Sequence, residues 1–472
     1  MRSNQHHVIG KDRRQADIRP QADRLAQTKD RQQDANCIVD SNCIHIELYC
    51  IIFAMIQFSR RALLAGGAAA AFPLRLVRGQ GGDAPASPIT NRWGEAKTSA
   101  LDLEEICVFR GRPGAAYNHH HQILFHGGRL YASWSNGIAN EDHPGQHMLC
   151  AVSDDDGKSW SAESTVTPPP PEKTSTYTAM GIRAHQDLLI AYYGHYGYND
   201  AWIDENGLVK AQEIPGHRGD EKTWIHRNTF SELRISKDRG VSWGKPMRLV
   251  DKFVPNLRPF PLRNGRLLMT GNITFPYTDD PAGIRGWKSA GLPRLPKWTV
   301  DDPEGFHKAC FFRKDPRNYC EGSFYQTDDG KIHMMLRTDP LPGDKHNGLL
   351  AVTESADNAK TWSEPMLTNY TDCSCRFHFG RLPDGRYFGL SCPKPKSGRT
   401  PMVLATSRDG VVFDRHYVAG SAPAIKPRMP GHAKGGAYGY PTCDIANGKM
   451  YIIFSRSKED IYFAKLNLDA LS

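Results

Sequence analysis

The chain has 472 residues and a formal net charge of +9, with 43 glycines, 32 prolines and 10% aromatic residues. This length allows one large domain or two ordinary ones, and abundant glycine and proline without long helical periodicity are typical of an all-β protein. The positive charge favours an acidic partner, but no run of lysine and arginine is interleaved with aromatic residues. The composition therefore argues against nucleic acid as the partner.

The N-terminal region contains an export-like segment. Residues 1–54 are polar, and Met55 begins the stretch MIQFSRRALLAGGAAAAFPLRLVRGQ. Paired arginines before a short apolar run predict a twin-arginine signal and linker over residues 55–85; an amphipathic helix is the alternative. The run is too short to span a membrane. We expect residues 1–54 to be a non-native or disordered leader, Met55 to be the true start, and the protein to be periplasmic or secreted.

One turn pattern recurs along residues 90–470. It has the form Ser-x-Asp-x-Gly-x-(Ser/Thr)-Trp, with variations, and appears as SDDDGKSW (153–160), SKDRGVSW (236–243), SADNAKTW (355–362) and SRDGVVF (407–413). The aspartate can accept hydrogen bonds from turn amides, and the glycine can adopt a left-handed conformation. These copies resemble the Asp box of sialidase-like propellers, a structural motif. The tryptophans at 160, 243 and 362 should then be buried beneath their turns.

Hairpin signals alternate with these turns. Each consists of two apolar runs around a polar turn, near residues 127, 186, 264, 329, 384 and 447. A spacing of roughly 55–80 residues matches a four-stranded blade with long loops. We therefore predict a closed β-propeller over residues 90–470 with six four-stranded blades, or seven if the segments 195–235 and 273–320 hide another. The final strand DIYFAKLNL should pair with EEICVF, which closes the ring and removes free sheet edges.

Three consecutive histidines, His119 to His121, lie in the first inner strand of this propeller. Inner strands begin around the central channel, and neighbouring residues of a strand face opposite ways, so at least one imidazole should enter a pocket. A solvated polar turn is the alternative. Histidine suits proton transfer because its ordinary pKa lies near neutrality. We expect His119 or His120 to serve as a base or as the partner of a substrate carboxylate.

Most of residues 100–470 resemble the sialidase superfamily. The segments CEGSFYQTDDGKIHMMLRTD, SCPKPKSGRTPMVLATSRDG and GAYGYPTCDIANGKMYIIFS resemble the blades that supply the sialidase nucleophile pair and two carboxylate-binding arginines. The resemblance implies those roles for Glu321 with Tyr440 or Tyr438, and for Arg337 and Arg399. It also places Glu141 or Asp142 about where the acid/base lies.

The resemblance fails at the first blade. Sialidases open that blade with Phe/Tyr-Arg-Ile-Pro, whereas YNHHH stands here, with Asn118 or His119 in place of the arginine. The loss of a bidentate carboxylate clamp is not a conservative change, and it favours another reaction on the same scaffold.

Uronate β-elimination is the reaction that these residues favour. It needs a neutralised carboxylate, a base for the C5 proton and an acid for the leaving oxygen. Segments such as YNHHHQILFHGGRLYASWSNGIANEDHPGQ and RFHFGRLPDGRYF resemble the propeller lyases that act on ulvan and rhamnosyl-glucuronate ends. Tyr193 is the candidate acid, with core packing as the alternative. Further candidates for substrate binding are Asn118, Asn140, Arg227, Arg258, Arg376 and His378.

Three functions remain open, in this order of preference. The first is an exported polysaccharide lyase that cleaves at a uronic acid of a rhamnose- and glucuronate-containing glycan. The second is a sialidase-like exo-glycoside hydrolase, and the third is a non-catalytic glycan-binding propeller. Each would bind an anionic oligo- or polysaccharide, and we expect a monomer.

Cysteine usage bears on metals and disulfides. Three of the 11 cysteines precede Met55 and eight follow it, an even number that permits disulfides of unknown pairing in an oxidising compartment. Cys373 and Cys375 lack zinc-site spacing, and no CxxC pair accompanies them. We therefore expect no zinc site and no cofactor, while a structural calcium or other ion in the channel stays open.

The export interpretation makes one prediction about the native protein. Because signal peptides are removed after translocation, N-terminal sequencing of the protein from its source should find no residue before Met55 and a start near residue 85. A native product that retains residues 1–54 would contradict both the start site and the leader.

Overall fold

The computed structural model describes residues 87–95, 97–198, 226–293, 317–340, 348–431 and 434–471. These residues belong to one unit, Gly81–Ser472. They form strands and a C-terminal 3₁₀ helix (Leu468–Leu471), and no α-helix occurs in the described ranges. The predicted leader and export signal lie outside the described residues.

The described strands are short and follow one another along the chain. In order they are β1 (Thr90–Asn91), β2 (Thr98–Ala100), β3 (Glu105–Phe109), β4 (Tyr117–His126), β5 (Arg129–Gly137), β6 (His147–Ser153), β7 (Ser164–Thr165), β8 (Ser175–His185), β9 (Leu188–Tyr198), β10 (His226–Ser236), β11 (Met247–Asp251), β12 (Leu257–Pro261), β13 (Leu267–Thr270), β14 (Tyr277–Thr278), β15 (Arg317–Gln326), β16 (Ile332–Pro340), β17 (Leu349–Ser355), β18 (Met366–Thr371), β19 (His378–Arg381), β20 (Tyr387–Ser391), β21 (Met402–Ser407), β22 (Val412–Phe413), β23 (Arg415–Gly420), β24 (Gly439–Ala446), β25 (Lys449–Arg456) and β26 (Asp460–Asn467).

Consecutive strands pair antiparallel to form sheets. The sheets are β4–β7, β8–β11, β12–β14, β15–β18 with β1 and β22 added, β19–β21 with β23 and β2, and β24–β26 with β3. The pairing of β26 with β3, from Ile461 opposite Phe109 to Ala464 opposite Glu105, is the closure predicted from the sequence. The last sheet is therefore completed by a strand from the beginning of the domain.

Hydrophobic clusters join each sheet to the next. Examples are the cluster of Leu124 and Tyr131 with Ala179 between β4–β7 and β8–β11, and the cluster of Tyr451 with Ile123 between the last sheet and the first. Four further clusters link the remaining neighbours in the same order. Sheets that pack face to face around a closed circuit make a β-propeller, which confirms the predicted fold class.

The described sheets differ in their number of strands. Five of the described sheets have at least four strands, whereas the sheet β12–β14 has three. The described residues therefore do not establish six or seven four-stranded blades.

Strand β9 shows why the sequences of these strands are continuous apolar runs. Leu189, Ala191 and Tyr193 pack toward the preceding sheet, while Ile190 and Tyr192 pack toward the following one. Alternate residues of a strand face opposite sides, so a strand between two neighbours needs apolar residues at every position. Tyr193, the candidate acid, is consequently a core residue between blades.

The repeated turns have the hydrogen bonds expected of Asp boxes. Asp155 Oδ1 accepts from Ser159 N–H (2.9 Å) and Ser153 Oγ–H (2.8 Å), and Gly157 N–H donates to Ser153 Oγ (2.9 Å). Equivalent bonds surround Asp238, Asp357 and Asp409. Each aspartate thus holds its turn closed, as the repeated pattern predicts.

The tryptophans of the turns are not equally buried. Trp362 is 7% exposed and packs edge-on against Phe275, with ring centroids 4.9 Å apart. Trp160 and Trp243 are only half-buried, so the expectation that all three would be buried is wrong for two of them. These two rings lie at the edges of their clusters, where one side remains open to solvent.

This difference predicts an order of stability effects. Trp362→Ala should lower the free energy of unfolding by about 3–5 kcal/mol, because it removes a large buried ring. Trp160→Ala should cost clearly less, because part of that ring already contacts water. Denaturant unfolding of the three proteins measures both differences, and equal losses would contradict this packing.

Candidate functional site

Backbone bulges aim the side chains of the site. The first strands β4, β15 and β24 lose register with their partners at His119/Gln122, Cys320/Ser323 and Gly439/Thr442. Inside these bulges lie His120, Glu321 and Tyr440, with φ of 53°, 52° and 52°. Such left-handed angles are unfavourable for residues other than glycine, and they cluster at functional sites. The shared conformation singles out these three side chains.

The centre of the site is a tyrosine–carboxylate–arginine contact. The Tyr440 hydroxyl donates to Glu321 Oε1, and Arg337 Nη1 donates to Glu321 Oε2. Arg337 Nη1 also lies 3.4 Å from the Tyr440 hydroxyl oxygen. Glu321 is thus held between a proton donor and a cation, as the resemblance implies for these residues.

Two further guanidinium groups lie over the Tyr440 ring. Arg399 is 5.2 Å and Arg376 is 4.5 Å from the ring centroid. Arg376 is 1% exposed, and its Nη1 donates to the Asn256 carbonyl (2.6 Å). Arg399 is half-buried, and its Nη1 has no hydrogen-bond partner among the described residues. Arg376 Nε likewise has no partner among the described residues, so each of these two guanidinium groups retains an unpaired donor.

His119 and His121 have buried positions next to Tyr440. The ring centroids of His119 and Tyr440 lie 4.0 Å apart, and His119 Nδ1 is 2.8 Å from Ser455 Oγ. His121 Nε2 lies 2.8 Å from the Tyr440 carbonyl oxygen. Both histidines are 0% exposed. They therefore pack and orient the tyrosine rather than facing the solvent.

A second carboxylate lies near His120. Glu141, in the loop after β5, accepts from Lys458 Nζ (2.7 Å) and from the Tyr117 hydroxyl (3.2 Å). His120 Nε2 is 3.9 Å from Glu141 Oε1, and its Nδ1 is 3.2 Å from Ser135 Oγ. The His120 side chain is 11% exposed and the Glu141 side chain 23%. Of the alternatives Glu141 and Asp142, Glu141 is thus the one whose carboxylate contacts these site residues.

Burial governs the protonation of this region. It lowers the pKa of His120 and of His121 to about 3, and it lowers the pKa of His119 well below its ordinary value. Burial, and then the neighbouring Glu321 charge, raise the pKa of Tyr440 well above its ordinary value. At neutral pH the histidines are uncharged and the tyrosine keeps its proton.

Asn118 is structural, contrary to its candidate role in substrate binding. Its Nδ2 donates to the carbonyls of Ala115 (2.9 Å) and Glu459 (2.8 Å), and its Oδ1 accepts from Trp134 Nε1 (3.0 Å) and Asn136 Nδ2 (2.7 Å). These four bonds use both donors and both lone pairs of the amide. No polar capacity remains for a substrate.

Several other candidates also lie apart from the Tyr440 cluster. Arg258 pairs with Asp444 (2.7 Å), and His378 lines a separate pocket with Phe260 and Phe379. Tyr438 donates to Glu105 Oε1 (2.9 Å) and accepts from Ala422 N–H (2.9 Å), so Tyr440 is the tyrosine that meets Glu321.

The remaining candidates are Tyr193, Asn140 and Arg227. Tyr193 packs edge-on against Tyr177, within the core between blades. Asn140 is 5% exposed and precedes Glu141 in the loop after β5. Arg227 is the second residue of β10, and its side chain lies outside the described part of the chain.

Two site residues, Tyr117 and Lys458, were missed in the sequence. Lys458 belongs to the turn SRSKED between β25 and β26, which reads as an ordinary charged hairpin. Its side chain is 6% exposed. A lysine buried by its fold gives no local signal, although Tyr117 directly precedes the histidine strand and could have been considered.

Three cysteines come together behind the site. The sulfur atoms of Cys373, Cys375 and Cys392 lie within 4.8 Å of one another, and all seven described cysteines are free thiols. Cys310 lies outside the described residues. Because Cys392 joins from the end of β20, local spacing in the sequence could not predict this group.

Repeated Asp-box turns on a propeller, with a tyrosine–glutamate–arginine contact, define a sialidase-like propeller. The chain belongs to the BNR repeat-like domain family, which matches residues 128–452. The comparison with curated protein sequences finds no match.

Solved structures share the fold at low identity. A sialidase from Streptococcus pneumoniae is 15% identical, with a TM-score of 0.52 over 78% of this chain and 71% of that one. An intramolecular trans-sialidase from Ruminococcus gnavus is 13% identical, with a TM-score of 0.50 over 77% of this chain and 97% of that one. A Dyadobacter fermentans protein of unknown function is 15% identical, with a TM-score of 0.50 over 77% and 98%. At these identities the likeness shows the fold alone.

Among the described residues, no helix has the length and apolar character needed to cross a bilayer.

The buried histidines predict a pH dependence of stability. Between about pH 6.5 and 3 the unfolded chain binds protons at His120 and His121 that the native protein does not. Stability should therefore fall as pH is lowered through this window, by about 1.4 kcal/mol per pH unit for each histidine.

Urea unfolding between pH 6.5 and 4 measures this slope. His121→Gln should make the slope shallower by about one histidine's contribution, while His126→Gln, at the end of β4, serves as the control. An identical slope in His121→Gln and the native sequence would contradict the assignment.

Proposed function

We propose that this protein is a sialidase-like glycoside hydrolase that removes a terminal carboxylate-bearing sugar, with Tyr440 as the nucleophile. The contact of the Tyr440 hydroxyl with Glu321 is the observation that carries this proposal. A carboxylate that accepts the proton of a hydroxyl is the usual arrangement for activating a nucleophile.

The raised pKa of Tyr440 makes this activation necessary. A neutral phenol is a weak nucleophile, so Glu321 takes the phenolic proton as the oxygen attacks the anomeric carbon. The Tyr440–carbon bond forms while the glycosidic carbon–oxygen bond breaks. Water then displaces Tyr440 from the sugar, and Glu321 returns the proton to the phenolate. Arg337 holds Glu321 in position through its Oε2.

Glu141 is the proposed acid and base for the leaving group. It gives a proton to the departing oxygen and later takes one from the attacking water. Its contacts with Lys458 and Tyr117 fix its position. Its partial exposure gives the leaving group access.

Arg399 and Arg337 would bind the substrate carboxylate. Arg399 has an unpaired Nη1 beside the Tyr440 ring, and the Arg337 side chain is 16% exposed. A guanidinium fork matches a carboxylate well and helps to bind an anionic sugar. Sialic acids and uronic acids both carry such a group, and the structural neighbours include a sialidase and an intramolecular trans-sialidase.

Uronate lyase is the second candidate, because β4 carries histidines and no arginine at the start of the first blade. The geometry favours it less. His119 is fully buried, and a His120 with a pKa of about 3 is a weak base for removing a proton from carbon. Hydrolysis uses the observed Tyr440–Glu321 contact directly, and elimination does not require it.

Tyr440→Phe and Glu321→Gln test the proposed nucleophile. Each should lower kcat for an aryl sialoside or aryl glucuronide at least ~10²-fold, since nucleophile and base act as a unit. Tyr438→Phe is the matched control, because it removes a hydroxyl bonded outside the site. Full activity in Tyr440→Phe would rule out this tyrosine as the nucleophile.

Product analysis separates the two reactions. On sialylated and glucuronate-containing glycans, hydrolysis should release a reducing acidic sugar without new ultraviolet absorption. Elimination would instead produce an absorbing 4,5-unsaturated uronate. Unsaturated product that persists in Tyr440→Phe but not in His120→Ala would replace the hydrolase with the lyase.

Two further proposals concern organisation and location. We propose that β12–β14 is the sixth blade, because its clusters join it to both neighbouring sheets in the circuit. The paired arginines Arg60 and Arg61 support export by the twin-arginine route, which would bring the enzyme to extracellular glycans.

A further inference from the structure

Three thiols lie together near the backbone of Tyr440. Glu321 contacts the other end of this residue, its hydroxyl group. Cys373 and Cys375 lie between β18 and β19, and Cys392 directly follows β20. Cys375 and Cys392 are 0% exposed, and Cys373 is half-buried. Between the first two, Ser374 adopts a left-handed φ of 59°, which turns the chain sharply at this point.

The spacing of the sulfur atoms suits one metal ion. A zinc–sulfur bond is about 2.3 Å long, so two thiolates on one ion lie at most about 4.6 Å apart. The three sulfur atoms here are mutually within 4.8 Å, so at most a small movement brings every pair within the reach of one ion. A disulfide would join two of them and leave the third, whereas a metal ion uses all three.

We propose that Cys373, Cys375 and Cys392 bind a single thiophilic metal ion, Zn²⁺ or Cu⁺. Both ions accept thiolate ligands, and a three-thiolate set is compatible with either one. This reverses the expectation from cysteine spacing that no zinc site is present.

A buried carboxylate beside the thiols supports a cation at this place. Asp372 is 2% exposed, and its Oδ2 accepts from Cys375 N–H (3.1 Å). Its Oδ1 has no hydrogen-bond partner within the described ranges. A cation bound by the thiols would place positive charge near this buried carboxyl group.

The site would support the tyrosine strand. Cys375 Sγ accepts from Tyr440 N–H (3.2 Å), and Cys392 Sγ is 3.4 Å from the Tyr438 carbonyl oxygen. A metal ion would thus tie the ends of β19 and β20 to the left-handed backbone at Tyr440. The binding of the ion does not depend on the reaction proposed above.

Elemental analysis of the reduced, full-length protein tests the proposal. The protein is incubated with one equivalent each of Zn²⁺ and Cu⁺ and then gel-filtered. About one equivalent of metal should remain bound, and the element found identifies the ion. X-ray absorption should then show metal–sulfur distances near 2.3 Å for zinc. Cys375→Ala and Cys392→Ala should retain less than about a tenth as much metal.

Cys150→Ala is the matched control, because Cys150 is buried in a core cluster that contains no other cysteine. It should bind as much metal as the native sequence. The wild-type measurement stands even if a variant fails to fold. Wild-type protein that retains neither ion, or a disulfide between two of the three cysteines found by peptide mass, would overturn the proposal.

Discussion

The left-handed backbone at His120, Glu321 and Tyr440 is the constraint on which the site depends. Each such residue costs of order 1–3 kcal/mol, and neighbouring structure must hold it in place. Here the holding structure is the sheet itself, because each bulge is flanked by regular pairing with the second strand. The propeller then brings three such bulges together around one channel.

Tyr440 is the residue that this arrangement fixes most completely. Its hydroxyl meets Glu321, its ring lies between Arg376, Arg399 and His119, and its amide donates to Cys375. Few rotamers are compatible with contacts on every side, so the hydroxyl is positioned before a ligand arrives. Such preorganisation is a large part of what an active site contributes to a reaction.

The parts of this structure that the sequence predicts are those encoded by local patterns. Asp boxes and hairpin turns are each encoded within a few residues. Glu321, Arg337, Arg399 and Tyr440 lie in continuous segments that resemble sialidase blades. The roles of the histidines could not be derived in this way. His119 is buried because Ser455 and Tyr440 lie against it, and these partners are more than 300 positions away. Lys458 and Cys392 were missed for the same reason, since long-range packing decides where they point.

The structure also changes the interpretation of the arginine that is missing from the first blade. Its replacement by histidine suggested a changed reaction, because a carboxylate clamp had lost one member. Arg376 lies two residues before β19. Its guanidinium group is 4.5 Å from the centroid of the Tyr440 ring and donates to the Asn256 carbonyl. The positive charge near the tyrosine is therefore retained from another blade. Uncharged histidines can then fill the space at β4 without removing the cationic surroundings that an acidic sugar requires, so the sequence change at the first blade does not by itself imply a different chemistry.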